Sequence, residues 1–162
     1  MIIVSACLLG QSVRYKGDSC PQKLLLRPQI RRYLLPFCPE CAGGLPTPRP
    51  PAEIQKTGGG NAVLCGKAYV ITNQSKDVST AYCLGAQKCL ELAKKMNVSA
   101  AILKQGSPSC GTKEIYDGSF SNKKIAGKGV TAALLSQHNI KLFGEDDLSE
   151  ALLNKLINED KN

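Results

Sequence analysis

Three short stretches each place a cysteine just after an apolar run: Ser5-Ala6-Cys7-Leu8-Leu9-Gly10, Pro36-Phe37-Cys38-Pro39-Glu40 and Ser107-Pro108-Ser109-Cys110-Gly111. A thiolate is both a nucleophile and a soft metal ligand, so three of them brought together point to metal or sulfur chemistry. The apolar runs Ile2-Ile3-Val4, Tyr33-Leu34-Leu35 and Ala100-Ala101-Ile102-Leu103 read as buried strands. In an open parallel sheet the carboxyl ends of the strands share one edge, where ligands bind. The pattern therefore predicts a three-thiolate site of Cys7, Cys38 and Cys110 at that edge. Widely spaced thiolates suit an iron–sulfur cluster. A cubane takes four ligands, so three protein thiolates would leave one iron open as a Lewis acid with affinity for soft sulfur. Glu40, two residues after Cys38, is placed to act as a general acid or base.

Other readings compete for the same cysteines. Cys38-Pro39-Glu40-Cys41 has the two-residue spacing of a zinc half-site, and of a thioredoxin-type dithiol. A dithiol of that kind sits at a helix start, and Cys41 is followed by Ala-Gly-Gly, which has no helical pattern. Persulfide sulfur transfer would need only one nucleophilic cysteine. Cys65, Cys83 and Cys89 fall in apolar patterns and are expected to pack as small hydrophobes. Cys20 and Cys41 are left open.

The chain has 162 residues, with 43% hydrophobic and 21% charged side chains. That composition fits one soluble domain spanning 1–162, and no apolar run is long enough to cross a membrane. The start, Met1-Ile2-Ile3-Val4, has no basic region ahead of its apolar residues and reads as a first strand of a cytoplasmic protein. Eight cysteines in a reducing compartment favour metal binding or catalysis over disulfides. The net charge of +8 raises a nucleic-acid partner, but Lys and Arg are scattered and there is no tryptophan to stack on bases. A solvated basic surface is the simpler reading, with a weak lean towards an anionic substrate.

Between the cysteines, the elements that must position them can be read in order. A helical stretch is expected around Gln22 to Tyr33, split or kinked by Pro28. The run Gly43 to Ile54, with prolines at 46, 48, 50 and 51, predicts a stiff loop walling the site and presenting Arg49. Gly58-Gly59-Gly60-Asn61 reads as a turn, and Ala62 to Thr72 as an edge hairpin or extended segment. An amphipathic helix is predicted over Asp77 to Asn97, with Val78, Tyr82, Ala86, Cys89, Leu90, Ala93 and Met96 on one stripe. A turn at Asp117-Gly118 leads to a helix over Val130 to His138, whose first amides could hold an anion. Ile140 to Phe143 is a fourth strand, followed by a helix over about 146–158. Alternating strands and helices predict a three-layer, Rossmann-like α/β fold with a mostly parallel sheet.

The motifs together resemble the DUF523 family, which includes thiouracil desulfidases. The resemblance runs in order through Ser5-Ala6-Cys7-Leu8-Leu9-Gly10 with Arg14-Tyr15, and Cys38-Pro39-Glu40 with Gly44 to Glu53. It continues through Ser107 to Gly111 with Ile115-Tyr116-Asp117-Gly118, and Gly129 to Leu135. It covers residue 2 to about residue 143 and leaves out the C-terminal helix. The resemblance implies a [4Fe-4S] cluster on Cys7, Cys38 and Cys110, with Glu40 as acid/base and Ser107 as its partner in orienting substrate or moving a proton. It also implies a thiolated pyrimidine as substrate, 2- or 4-thiouracil or a thionucleotide, with C=S exchanged for C=O without redox and hydrogen sulfide released. Within the matched motifs Arg14, Arg49 and Ser109 are expected to contact substrate. Cys41 departs from the family pattern and could compete for the fourth position. The reading from another class is a non-catalytic metal-binding module that holds RNA on its basic surface.

Overall fold

The computed structural model describes residues 1–160; positions 161 and 162 of the domain expected over 1–162 lie outside the described residues. The strands are β1 (Ile2–Ser5), β2 (Leu34–Phe37), β3 (Ala52–Gln55), β4 (Tyr69–Thr72), β5 (Ala100–Leu103), β6 (Glu114–Tyr116), β7 (Lys124–Ala126) and β8 (Lys141–Gly144). The helices are α1 (Pro28–Arg31), α2 (Pro39–Ala42), α3 (Gly59–Leu64), α4 (Ser79–Lys95), α5 (Val130–Gln137) and α6 (Glu150–Asp160). A 3-10 turn, Ala6–Leu9, follows β1 directly.

Four strands form an all-parallel sheet in the order β2-β1-β5-β8. Because successive side chains point to opposite faces, each strand feeds two cores. Ile3, Ala101 and Leu103 pack with α3, α4 and α5 on one face. Ile2, Val4, Ala100 and Ile102 pack with Leu25, Ile30 and α6 on the other. Burial on both faces is why these strands read as uninterrupted apolar runs. The fold is the three-layer α/β arrangement that the sequence predicts. Among the described residues no helix is long and apolar enough to cross a membrane.

The chain leaves β1 in both directions, to β2 on one side and through β5 to β8 on the other. The strand order therefore reverses between β1 and β5, which is where ligands bind in such sheets. Two small antiparallel sheets, β3-β4 and β6-β7, stand outside the central one.

Several local expectations need correction. Pro28 does not kink a long helix; it opens α1 as its first residue, where its missing N–H is no loss, and α1 is a single turn. Gly58-Gly59-Gly60-Asn61 is not a free turn but the start of α3. Gly60 lies so close to α5 that an added Cβ would sit 2.2 Å from the Gly129 carbonyl oxygen. The segment after it is a helix and then β4, paired with β3, so the tail of the proline-rich run is a strand. Met96 is exposed and does not share the buried stripe of α4. The C-terminal helix begins at Glu150, after a separate 3-10 turn at Glu145–Asp147.

α4 and α2 meet backbone to backbone. A Cβ on Gly85 would fall 2.0 Å from the Pro39 carbonyl oxygen, and one on Gly43 2.0 Å from that of Ala81. Lys88 adds a tether, donating to the Ala42 carbonyl at 3.0 Å. In an ordinary helix interior Gly→Ala stabilises by about 0.5–1 kcal/mol, whereas Gly85→Ala forces backbone apart. The expected result is a net loss of about 1–3 kcal/mol, seen as an unfolding temperature lower by several degrees in thermal denaturation.

Candidate active site

The carboxyl ends of β1, β2 and β5 open onto a cavity of about 250 Å³. Cys7 reaches it from the 3-10 turn after β1, Cys38 from the residue that caps α2, and Cys110 from the turn after β5. The structure thus gathers all three predicted cysteines on one cavity at the sheet edge. Cys7 and Cys110 are buried and Cys38 half-buried.

Their electrostatics say what such a cluster lacks. Burial pushes the Cys7 thiol up, and the neighbouring sulfurs of Cys20, Cys110 and Cys38 add to the rise. Cys38 is raised chiefly by burial, against the Cys41 amide that favours its thiolate. Burial lifts Cys110 to about 11, opposed by hydroxyls of Ser5, Ser109 and Ser107 that donate to its sulfur. Three thiolates gathered in one place, two of them buried, oppose one another's ionisation unless a cation offsets them, and a metal group that takes thiolates does so.

The three converging donors are all thiols. An iron–sulfur cluster is held by cysteine thiolates, one to each iron. The donor set fits a cluster on Cys7, Cys38 and Cys110. Cys41 is not among the residues lining the cavity; its sulfur lies 3.5 Å from the Thr47 hydroxyl and 4.0 Å from the Val13 carbonyl. One sequence expectation fails here, because Cys38 does stand at a helical start, the single turn α2.

Glu40 occupies the first turn of α2 and lines the cavity. Its Oε2 accepts from Arg49 Nε at 2.9 Å and from Arg49 Nη2, while its Oε1 accepts from the Tyr82 hydroxyl at 2.8 Å. Arg49 is held in turn by the carbonyls of Val13 and Pro46 and the Thr47 hydroxyl. The proline-rich loop does wall the site, but its arginine serves Glu40, and its side chain is only 5% exposed. Burial, with the Glu40 charge beside it, pushes the Tyr82 phenol well above its usual value, so it stays a donor.

Ser107 lines the cavity, its Oγ accepts from the amides of Ser109 and Cys110, at 3.1 and 3.0 Å, and its proton is turned to the Cys110 sulfur. Ser109 does not fulfil the substrate-contact expectation: it is fully buried, shares a 2.9 Å hydrogen bond with the Thr131 hydroxyl, and is not among the lining residues. Nor are the first amides of α5 free for an anion, since Val130 donates to the Pro108 carbonyl and Thr131 and Ala132 to that of Ser109. Arg14 does line the cavity, paired with Asp18 at 3.0 Å. Cys89 packs in the core as expected, Cys83 is half-buried, and Cys65, at the end of α3, is exposed rather than packed.

Sequence reasoning missed Tyr82, Ser5 and Glu53. Tyr82 read as one member of an apolar stripe, although a buried tyrosine hydroxyl needs a partner and so hints at a polar neighbour. Ser5 lines the cavity and accepts from the Lys104 amide at 3.0 Å, joining the ends of β1 and β5. Glu53 accepts from the amides of Gly118 and Phe120, at 3.0 and 3.2 Å, and pins the β6-β7 loop against the cavity wall.

Comparison with known proteins decides the family. Residues 2–147 match the family described as 2-thiouracil desulfurase. The chain belongs to that family. This family member is 45% identical over 152 residues to an uncharacterized protein, YbbK, of Bacillus subtilis (strain 168), covering 94% of this chain and all of the relative. It also resembles the solved structure of TudS, a [4Fe-4S]-dependent thiouracil desulfidase, with a TM-score of 0.82 and 46% identity, over 96% of this chain and 97% of that one.

The burial pattern sets an order of thiol reactivity in the metal-free protein. Under brief iodoacetamide treatment Cys65 should alkylate first, and Cys7, Cys89 and Cys110 last, as read by peptide mass spectrometry. Early modification of Cys110 would contradict the buried site.

Proposed function

We propose that this protein is an iron–sulfur-dependent desulfidase. It replaces the C=S of a thiolated pyrimidine by C=O and releases hydrogen sulfide, with no net redox change. The observation that carries the reading is the meeting of the Cys7, Cys38 and Cys110 thiols on one cavity beside the Glu40 carboxylate. Family membership supports it. Cys7, Cys38 and Cys110 would hold a [4Fe-4S] cluster, which would supply a Lewis-acidic iron with affinity for soft sulfur.

The chain's own residues then do the rest. Glu40, held by Arg49 and Tyr82, takes a proton from water, so that the water oxygen bonds to the thiocarbonyl carbon. As the C–S bond breaks, Glu40 returns that proton to the departing sulfur; the new hydroxyl then gives its own proton to the freed Glu40 as C=O forms, and Glu40 passes it to the hydrosulfide, so the net change is C=S plus water to C=O plus hydrogen sulfide. Ser107, at the cavity wall beside Cys110, orients the substrate or carries a proton. Arg14 at the cavity wall contacts the substrate ring or its substituent. Arg49 acts through Glu40.

A small pyrimidine suits a cavity of this size better than a folded RNA. The cations lining it already have acidic partners: Arg14 with Asp18, Lys104 with Glu145 and Lys124 with Glu114. Nucleic acid therefore finds no unpaired basic patch among them, and the RNA-holding module is the weaker reading. Eight free thiols support a reducing, cytoplasmic setting.

The test is an anaerobic assay of the cluster-loaded protein with 2-thiouracil and 4-thiouracil. Uracil and sulfide should form in equal amounts. Glu40→Gln should lower kcat by about 10²–10⁴-fold with iron content unchanged, and Cys41→Ser should keep both iron and turnover. Turnover that survives iron removal would overturn the cluster-dependent reading, and an active Glu40→Gln would remove Glu40 from the chemistry.

A further inference from the structure

Glu40 is held on two sides, and the two holds are not equivalent. Both Arg49 contacts fall on Oε2. Among the described residues the one hydrogen bond on Oε1 comes from Tyr82, on a different element more than forty residues away along the chain. An ionised carboxylate has about four acceptor sites. With two taken on Oε2 and one on Oε1, the free lone pair with the fewest competitors belongs to Oε1.

Arg49 alone would not fix the plane of the carboxylate. The terminal torsion of a glutamate is broad and roughly two-fold, so a group held at one oxygen can swing the other. A second anchor on the second oxygen stops that swing. Tyr82 is well built for the purpose. The residue is buried, 3% exposed, and its hydroxyl donates to Glu40. Its helix is set against α2 by direct backbone contact at Gly43 and Gly85 and by the Lys88 tether, so the phenol oxygen and the Glu40 turn are held at a fixed separation.

We propose that Tyr82 is the positioning residue of the site: its hydroxyl, bonded to Glu40 Oε1, locks the carboxylate plane and makes Oε1 the oxygen that exchanges a proton with water in the cavity. The proposal rests on the desulfidase reading, in which Glu40 moves that proton. The water O–H bond breaks, its proton passes to Oε1, and it later leaves Oε1 for the departing sulfur. The Tyr82 O–H bond stays intact throughout, so Tyr82 orients the proton acceptor without itself becoming acid or base.

Tyr82→Phe removes one oxygen and keeps the ring in the core. In the cluster-loaded variant, kcat should fall about tenfold to a hundredfold, the range that misplacing a reacting group produces, while KM, iron content and unfolding temperature stay at wild-type values. The crystal structure of the same holoprotein variant should show the Glu40 carboxylate turned about its terminal torsion, with Oε2 still on Arg49. An unchanged kcat overturns the proposal, as does a carboxylate that has not moved. So does a fall in kcat that comes with lost iron or a lower unfolding temperature, since that assigns Tyr82 to packing. Glu40→Gln and wild type are measured beside it. If wild type releases no sulfide from either thiouracil, the desulfidase reading fails by itself, and the position of the Glu40 carboxylate in Tyr82→Phe still decides whether Tyr82 sets it.

Discussion

Burying three thiols within reach of one another is unfavourable once they ionise, because each thiolate loses its hydration and meets like charges. The sheet edge of this protein does so at Cys7, Cys38 and Cys110, and the hydroxyls of Ser5, Ser107 and Ser109 around Cys110 offset only part of the burial. The arrangement makes sense as half of a pair whose other half is a cationic group that takes one thiolate per metal. The sheet, the loops and the neighbouring carboxylate follow from that requirement. The strands bring the sulfurs to one edge, the loops wall the cavity, and Arg49 and Tyr82 hold the Glu40 carboxylate beside them.

The topology supplies the convergence with few residues. β1 lies in the middle of the sheet and β2 and β5 flank it, so the segments leaving three adjacent strands face one another across the point where the strand order reverses. Cys7 and Cys38 sit within two residues of their strands, which leaves them little freedom. Cys110 is further out, and the turn that carries it is fixed from behind by α5, whose first amides bond to the carbonyls of Pro108 and Ser109. Those amides, which in isolation look like an anion site, are consumed in building the thiol site.

Much of this is legible in the sequence because parallel strands buried on both faces are apolar throughout, as Ile2-Ile3-Val4 and Ala100-Ala101-Ile102-Leu103 are. The stripe of α4 is equally plain. What could not be read depends on contacts between distant segments. Gly58-Gly59-Gly60 reads as a turn by local propensity, and becomes a helix start because Gly60 must pass close to Gly129. The loose alternation Val63, Cys65, Ala68, Val70 imitates an extended segment, but α3 ends at Leu64 and leaves Cys65 at the surface. Arg49 is expected at the site and lines the cavity, but nothing in the proline-rich run reveals that its guanidinium turns to Glu40. Tyr82 was hidden for the opposite reason: its ring belongs to the core, and only its hydroxyl reaches the site.

The claim on which the rest stands is that Cys7, Cys38 and Cys110 together hold one cluster with an open iron. Iron and acid-labile sulfide content, measured with the visible absorption spectrum on protein prepared without oxygen, tests it most directly, beside the serine variants of those three cysteines and of Cys41. The account predicts about four irons per chain, lost when any of the three is replaced and kept when Cys41 is. Zinc in place of iron, or a cluster that survives loss of Cys7, Cys38 or Cys110, would contradict it.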